Sequence, residues 1–455
     1  MSETMKQLFE ERLGRYQAAI ALEPTDRIPI AAGSNYFAEI YSGNTKQEII
    51  YDTDKWLQSE EVFARTFPET DVLRTGRIFA PIHDILGVNT YNLPGRELGE
   101  NVQFQFVEKV NMEADEYDLL INDPGKFLFE RFFPRIFSEM NQEPARAYTA
   151  FFKAGMAQAT FGAFMRNKAM HMQNIYGMPA PMTGGFLAPF DALANALRGI
   201  KKSFRDAHRM PDKVVAACDS LSYIMANMAL ASADPLKRYP IFVPTHKPMF
   251  MSPKQFDTIY WPSFKKTCEI IIKSGYKIRA YLEGDWSKHW HHMLELPKGS
   301  VLCDIDSQAN IFKAKAEIGH HQCIAGGMPD SMLVFGTPQE IKEKVKELCE
   351  KLGPGGGYII NGACSIPYNT KPVNYRAMCD AVMEYGWYDK SIKSPVKTGQ
   401  LGEFSVFERK PQAMITPWEV KKKELGVIKG NEELIRKQWE MYETMAYNWM
   451  WTWTY

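Results

Sequence analysis

The stretch SVLCDIDSQANIFKAKAEIGHHQCIAGGM, residues 300–328, decides the fold. It opens with a short apolar run of strand length, passes into a segment with apolar residues at helical spacing, and returns to an apolar run. Strand, helix and strand with almost nothing between them require parallel pairing through a crossover helix. Reading upstream, YKIRAYLEG (276–284) and YPIFVPTH (239–246) are strands. SPKQFDTIYWPSFKKTCEIIIKSG (252–275) is a helix with a Ser cap and a Gly stop, and SKHWHHMLELP (287–297) is read as another helix. Downstream, TPQEIKEKVKELCEKLG (337–353) is a Thr-capped helix, GGYIINGAC (356–364) a strand and KPVNYRAMCDAVMEYG (371–386) the last helix. RIPIAAGS (27–34), DVLRTG (71–76) and PMTGGF (181–186) supply three earlier strands.

Eight strands predict an α/β protein built as a (β/α)₈ barrel, with an open doubly wound sheet as the alternative. The barrel is favoured because nearly every later strand ends on a polar or ionisable residue: His246, Glu283, Asp304 and Asp306, then Cys364. In a barrel those ends converge on one face. One domain is expected over 1–394, with a Phe- and Met-rich helical insertion at about 122–168 that could cover the mouth. An extension over 395–455 is expected to pack on the barrel flank or on the partner subunit of a homodimer.

The chain has 455 residues, and Lys plus Arg equals Asp plus Glu at 54 each, which argues against nucleic acid or an acidic membrane as partner. No apolar run is read as long enough to span a membrane, and the first 24 residues do not resemble a targeting peptide, so a cytoplasmic protein is expected. Seven cysteines without a CxxC pair read as reduced thiols. HWHH (289–292) lacks the i, i+4 spacing of a helical metal pair and is read as a packing or solvent-facing element. GHHQC (319–323) is read as part of the stable barrel bottom. GPGGGYIING (353–362) is a helix stop and turn, because no Lys-Ser/Thr follows it. No GxSxG elbow or post-strand GxGxxG is present.

Glu283 and Cys364, at the ends of strands five and eight, together with His246 at the end of strand four, offer an oxygen, a sulfur and a nitrogen. That is an ordinary three-ligand zinc shell with one position open for a substrate. Taken singly, each also reads as a capped loop carboxylate, a buried thiol or a hydrogen-bonded histidine.

Five motifs carry a family resemblance: PTDRIPI (24–30), EYDLLINDPGKF (116–127), FMSPKQFDTIYWPSFKK (250–266), FGTPQEIKEKVKEL (335–348) and GGYIINGACSIPYNTKPVNYRAM (356–378). The chain resembles the uroporphyrinogen decarboxylase superfamily, and within it the cobamide-dependent methyltransferase branch. The resemblance implies a (β/α)₈ barrel. It also implies zinc after strands five and eight, where Cys364 matches the family cysteine, and Tyr281 and Glu283 stand in place of a His-x-Cys pair. The arginine-rich stretch that decarboxylases carry after strand one is replaced by AAGSNYFAEIY (31–41), which removes the partners of tetrapyrrole carboxylates.

A harder, carboxylate-containing site suits an oxygen ligand. The implied activity is therefore that of an anaerobic O-demethylase methyltransferase, which moves a methyl group from a methoxylated, aryl ether substrate to Co(I) of a separate corrinoid protein. Asp304, Asp306 and Tyr281 are then expected to hydrogen-bond or protonate the departing oxygen, while Asn35 and Tyr36 are pocket candidates. A decarboxylase-like lyase and a barrel without turnover are the alternatives.

Overall fold

A computed structural model describes residues 2–75, 78–362, 364–399 and 415–455. Among the described residues the eight expected strands are all present: β1 (Ala31–Asn35), β2 (Val72–Arg74), β3 (Thr183–Gly185), β4 (Ile241–Thr245), β5 (Ile278–Leu282), β6 (Val301–Ile305), β7 (Cys323–Gly327) and β8 (Tyr358–Asn361). β3 to β8 form one six-stranded parallel sheet in sequential order, and β1 pairs in parallel with β2. Two thin seams join these parts. Ile30, ahead of β1, bridges Ile360 of β8 in parallel, and the Leu73 N–H of β2 donates to the Pro179 carbonyl ahead of β3 at 3.0 Å. First and last strands are therefore neighbours, which an open doubly wound sheet does not allow.

Helix α1 (Glu3–Ile20) plugs the N-terminal end of the barrel. Its Tyr16 and Ile20 pack with Ala31, Val72, Leu302, Cys323 and Ile359, and the Tyr16 hydroxyl donates to the Pro181 carbonyl at 2.8 Å. With that end filled, the opposite end is left for chemistry.

The insertion is not one continuous helix. Between Asn122 and Asn141 it is broken into short helical turns, with Pro124 and Pro134 in the opening turns of separate pieces, before α2 (Pro144–Tyr176) begins on a third proline. Proline lacks the N–H that would continue a preceding helix, so each one restarts it. α2 runs past the expected end at Lys168, and its 33 residues span about 50 Å. Its Phe161 stacks on Phe79 and leans on Trp56, which lie after β2 and β1 in sequence, while Lys168 pairs with buried Glu60 at 2.5 Å.

Helix α3 (Pro211–Ala231) corrects a sequence expectation, because its length and mean hydropathy of 1.4 would suffice to cross a membrane. More than half of that apolar window, 56%, is buried within the protein, as in an ordinary core helix. The segment read as a helix over 287–297 is a second correction: only Trp290–Glu295 is helical, as a 3₁₀ turn. The side chains explain this, since His289 is buried and stacks on Phe256 with ring centroids 4.3 Å apart, pulling the chain inward before a regular helix can form. His292 pairs with Asp257 and Glu295, so HWHH is a packing element.

The last helix, α4 (Glu432–Thr452), buries Tyr447, Met450 and Trp451. Just beyond it the Trp453 indole donates to Gln158 of α2 at 3.0 Å, tying the C-terminal extension to the insertion.

Candidate active site at the barrel mouth

The parallel register of β4 and β5 sets Thr245 beside Leu282, so the next residues, His246 and Glu283, emerge side by side. Their side chains meet: His246 Nδ1 contacts Glu283 Oε2. Thr245 Oγ1 donates to the Tyr281 carbonyl at 2.6 Å and clamps the two strand ends together. Gly284 then turns the chain with φ +76°, and a Cβ there would lie 2.8 Å from the Met249 sulfur. Glycine at this position lets the strand stop abruptly after its carboxylate.

Behind His246 lies Asp191, which is fully buried. It accepts from the His246 backbone N–H at 3.1 Å and from the Tyr260 hydroxyl at 2.6 Å. Burial raises its pKa above the ordinary carboxylate value, against the opposing pull of His246 and Lys247. Lys247 is itself buried and its pKa is lowered by that burial, with Asp191 and Glu283 acting the other way. Neither Asp191 nor Tyr260 was expected from sequence; the available signal was a lone acid inside the apolar run 187–197.

One strand further round, β5 and β6 place Tyr281 beside Asp304. The Tyr281 hydroxyl donates to Asp306 Oδ2 at 2.5 Å, and Asp306 also accepts from the Gln308 backbone N–H at 2.9 Å. Burial, then Asp306, Cys364 and Glu283, push the Tyr281 phenol far above its usual range, so it stays protonated. Asp306 also borders a cavity of about 270 Å³ shared with Asn310, Gly327 and Met328. Asp304 is elsewhere than expected: it is 0% exposed and bound by Arg279 Nε at 2.5 Å, inside the barrel. It cannot touch a substrate from there, and its place is to hold Arg279 between the plug helix and the mouth.

Cys364 follows β8 and is half-buried, unlike the other six thiols, which are buried. It lies within electrostatic reach of both Tyr281 and Arg279, which puts it on the same side of the barrel interior as Glu283 and Asp306. β1 runs close by: a Cβ on Gly33 would lie 2.8 Å from the Cys364 carbonyl. Asn35 ends β1 opposite Pro367, at the mouth. Tyr36 is in the left-handed region and buried among Ile49, Ile50, Trp56, Ala80 and Leu93, so it belongs to the roof over β1 and not to an open pocket wall.

For zinc, the chemistry of the donor set fits. His246 and Glu283 are in contact and Cys364 is the accessible thiol of the same mouth. Among the described residues no three His, Cys, Asp or Glu side chains are gathered at ligand spacing.

A parallel (β/α)₈ barrel, plugged at one end and carrying ionisable residues at the other, belongs to the class of barrel enzymes that work at the strand C-termini. Residues 169–385 match the uroporphyrinogen decarboxylase (URO-D) family model. The uroporphyrinogen decarboxylase of Histophilus somni (strain 2336) is 27% identical over 114 residues, covering 24% of this chain and 31% of that protein. The Actinobacillus succinogenes enzyme is 33% identical over 86 residues, 18% of this chain and 24% of that one. The chain therefore spans under a third of the curated relatives it matches. Among solved structures, a methyltransferase from Methanosarcina mazei superposes with a TM-score of 0.57 at 17% identity, covering 83% of this chain and 98% of that one. That likeness shows the common fold.

Proposed function

We propose that the protein is a corrinoid-dependent methyltransferase that takes a methyl group from a methoxylated, aryl ether substrate. The observation that carries this reading is the contact of His246 with Glu283, which sets a nitrogen and an oxygen donor together at the barrel mouth with Tyr281, Asp306 and Cys364 around them. The lack of arginines in residues 31–41, which run through β1 and just past it, favours it over decarboxylation of a polycarboxylate.

Zinc held by His246, Glu283 and Cys364 would supply Lewis acidity to the ether oxygen. The chain's own groups do the rest. Asp191 fixes the backbone from which His246 projects, and Tyr260 fixes Asp191. Tyr281, kept protonated, turns its one hydroxyl hydrogen from Asp306 to the ether oxygen as negative charge develops there. The methyl carbon leaves its oxygen for Co(I) of the partner, the C–O electron pair stays on the oxygen, and the released alkoxide or phenoxide takes a proton from water.

The reading is tested by incubating the protein with a reduced corrinoid protein and aryl ethers labelled in the methoxy carbon, then following the label. Transfer to the corrinoid with release of the free phenol supports it. Label that stays on the ether with every donor, in the presence of zinc, overturns it.

A further inference from the structure

Lys46 is a buried cation without an anion. It is 1% exposed, and among the described residues no carboxylate or carbonyl accepts from its ammonium. Its recorded partners are aromatic faces only: Tyr368, with the nitrogen 3.5 Å from the ring centroid, and Tyr36 at 5.4 Å. An ammonium taken out of water is costly unless paired, and ring faces return only part of what a carboxylate would. Burial alone lowers the pKa of this lysine.

The neighbouring chain carries open polar groups too, of which the Thr370 hydroxyl is able to donate to an anion. Asn35 Oδ1 and Thr370 Oγ1 are buried and have no hydrogen-bond partner. Backbone pairing brings these elements together: Asn35 lies opposite Pro367, Tyr36 bridges Pro367, and the Thr370 N–H closes the turn 367–370, which carries Tyr368. Cys364 opens that same post-β8 segment, beside Gly33 of β1. The cluster is thus on the mouth, at the β1/β8 seam.

We propose that Lys46, with the turn holding Tyr368 and Thr370, is a carboxylate-binding subsite, so that the substrate of the mouth is an anionic, carboxylate-bearing ether. The identification of the mouth as the substrate site rests on the function proposed above. Tyr368 is 43% exposed and stands over the ammonium, so an arriving carboxylate exchanges the ring face for a charge-assisted hydrogen bond. Lys46 is a specificity-determining residue in this account: it orients the substrate by its acid end and takes no part in breaking the C–O bond.

Calorimetric titration of the whole protein with 3-methoxybenzoate, with neutral methoxybenzene and with inorganic phosphate tests this without requiring methyl transfer. The wild type is expected to bind the carboxylate about tenfold or more tightly than the neutral ether, and phosphate more weakly than either. Lys46→Met is expected to lose that preference, Lys46→Arg to keep most of it, and Tyr368→Ala to bind the carboxylate at least as tightly as the wild type. Melting curves supply a second readout: the carboxylate raises the transition of the wild type and leaves that of Lys46→Met unmoved. Equal affinity of the wild type for the two ethers, a preference retained in Lys46→Met, or phosphate binding as tight as the carboxylate's would each overturn the subsite. A protein that prefers the carboxylate but transfers no methyl group overturns only the proposed reaction.

Discussion

His246 Nδ1 and Glu283 Oε2 touch across the ends of two adjacent parallel strands, 37 residues apart in sequence and brought together by the register of β4 and β5. Neither residue is exceptional alone. Their contact, with Cys364 half-buried at the same mouth, is the basis on which a metal site is proposed there.

Metal analysis of purified variants checks that assignment. The wild type is expected to hold about one zinc per chain, and Glu283→Ala and Cys364→Ala each to lose most of it. Full occupancy in both variants would move the site elsewhere.

Tyr281 is predicted to act on rate more than on binding. Tyr281→Phe removes the hydroxyl that donates to Asp306 while keeping the ring. The maximal rate should fall about 10²-fold with the substrate KM little changed. A loss confined to KM would reassign the phenol to substrate binding.

The Arg279–Asp304 pair is a stability prediction. Both side chains are almost wholly buried, at 2% and 0% exposure. Asp304→Ala leaves the guanidinium without its anion and should cost about 3–5 kcal/mol in denaturant unfolding, whereas Arg279→Met with Asp304→Leu should recover most of that loss. Equal destabilisation by the single and the double variant would contradict the pairing.

The barrel was readable because each strand is a short apolar run set off by a helix or a Gly/Pro turn, and because Glu283 closes such a run where a carboxylate has no packing role. What stayed hidden depends on neighbours that only the closed ring creates. Asp191 reads as one acid in an apolar stretch until the His246 N–H is found against it. Asp304 reads like Asp306 until Arg279 is seen to enclose it, since only two positions separate an acid inside β6 from one just past its end. Lys46 reads as an ordinary lysine in the first turn of a helix, because nothing local says that aromatic faces alone will surround it. The broken start of the insertion follows from its prolines, whose effect was outweighed in the reading by the density of phenylalanine.

Glu295 carries a pH prediction. Burial raises its pKa, but hydrogen bonds from Lys265, Trp261 and His292 outweigh that and bring it down to about 2. A carboxylate lowered in the folded state stabilises the fold above its unfolded value, and that stability is lost as pH falls through the folded value. Acid titration of Glu295→Gln should therefore show a shallower loss of stability between about pH 4.5 and pH 2 than the wild type. Parallel acid profiles would show that these contacts do not hold the carboxylate in solution.

The most direct measurement of the central claim is the absorbance of Co(I) on a reduced corrinoid protein mixed with zinc-loaded enzyme and an aryl methyl ether. The account predicts decay of the Co(I) band to that of the methylated corrinoid with the wild type, and little or none with Glu283→Ala. A Co(I) band that persists with the wild type across a panel of methoxylated donors, given a corrinoid partner shown to be active, would contradict it.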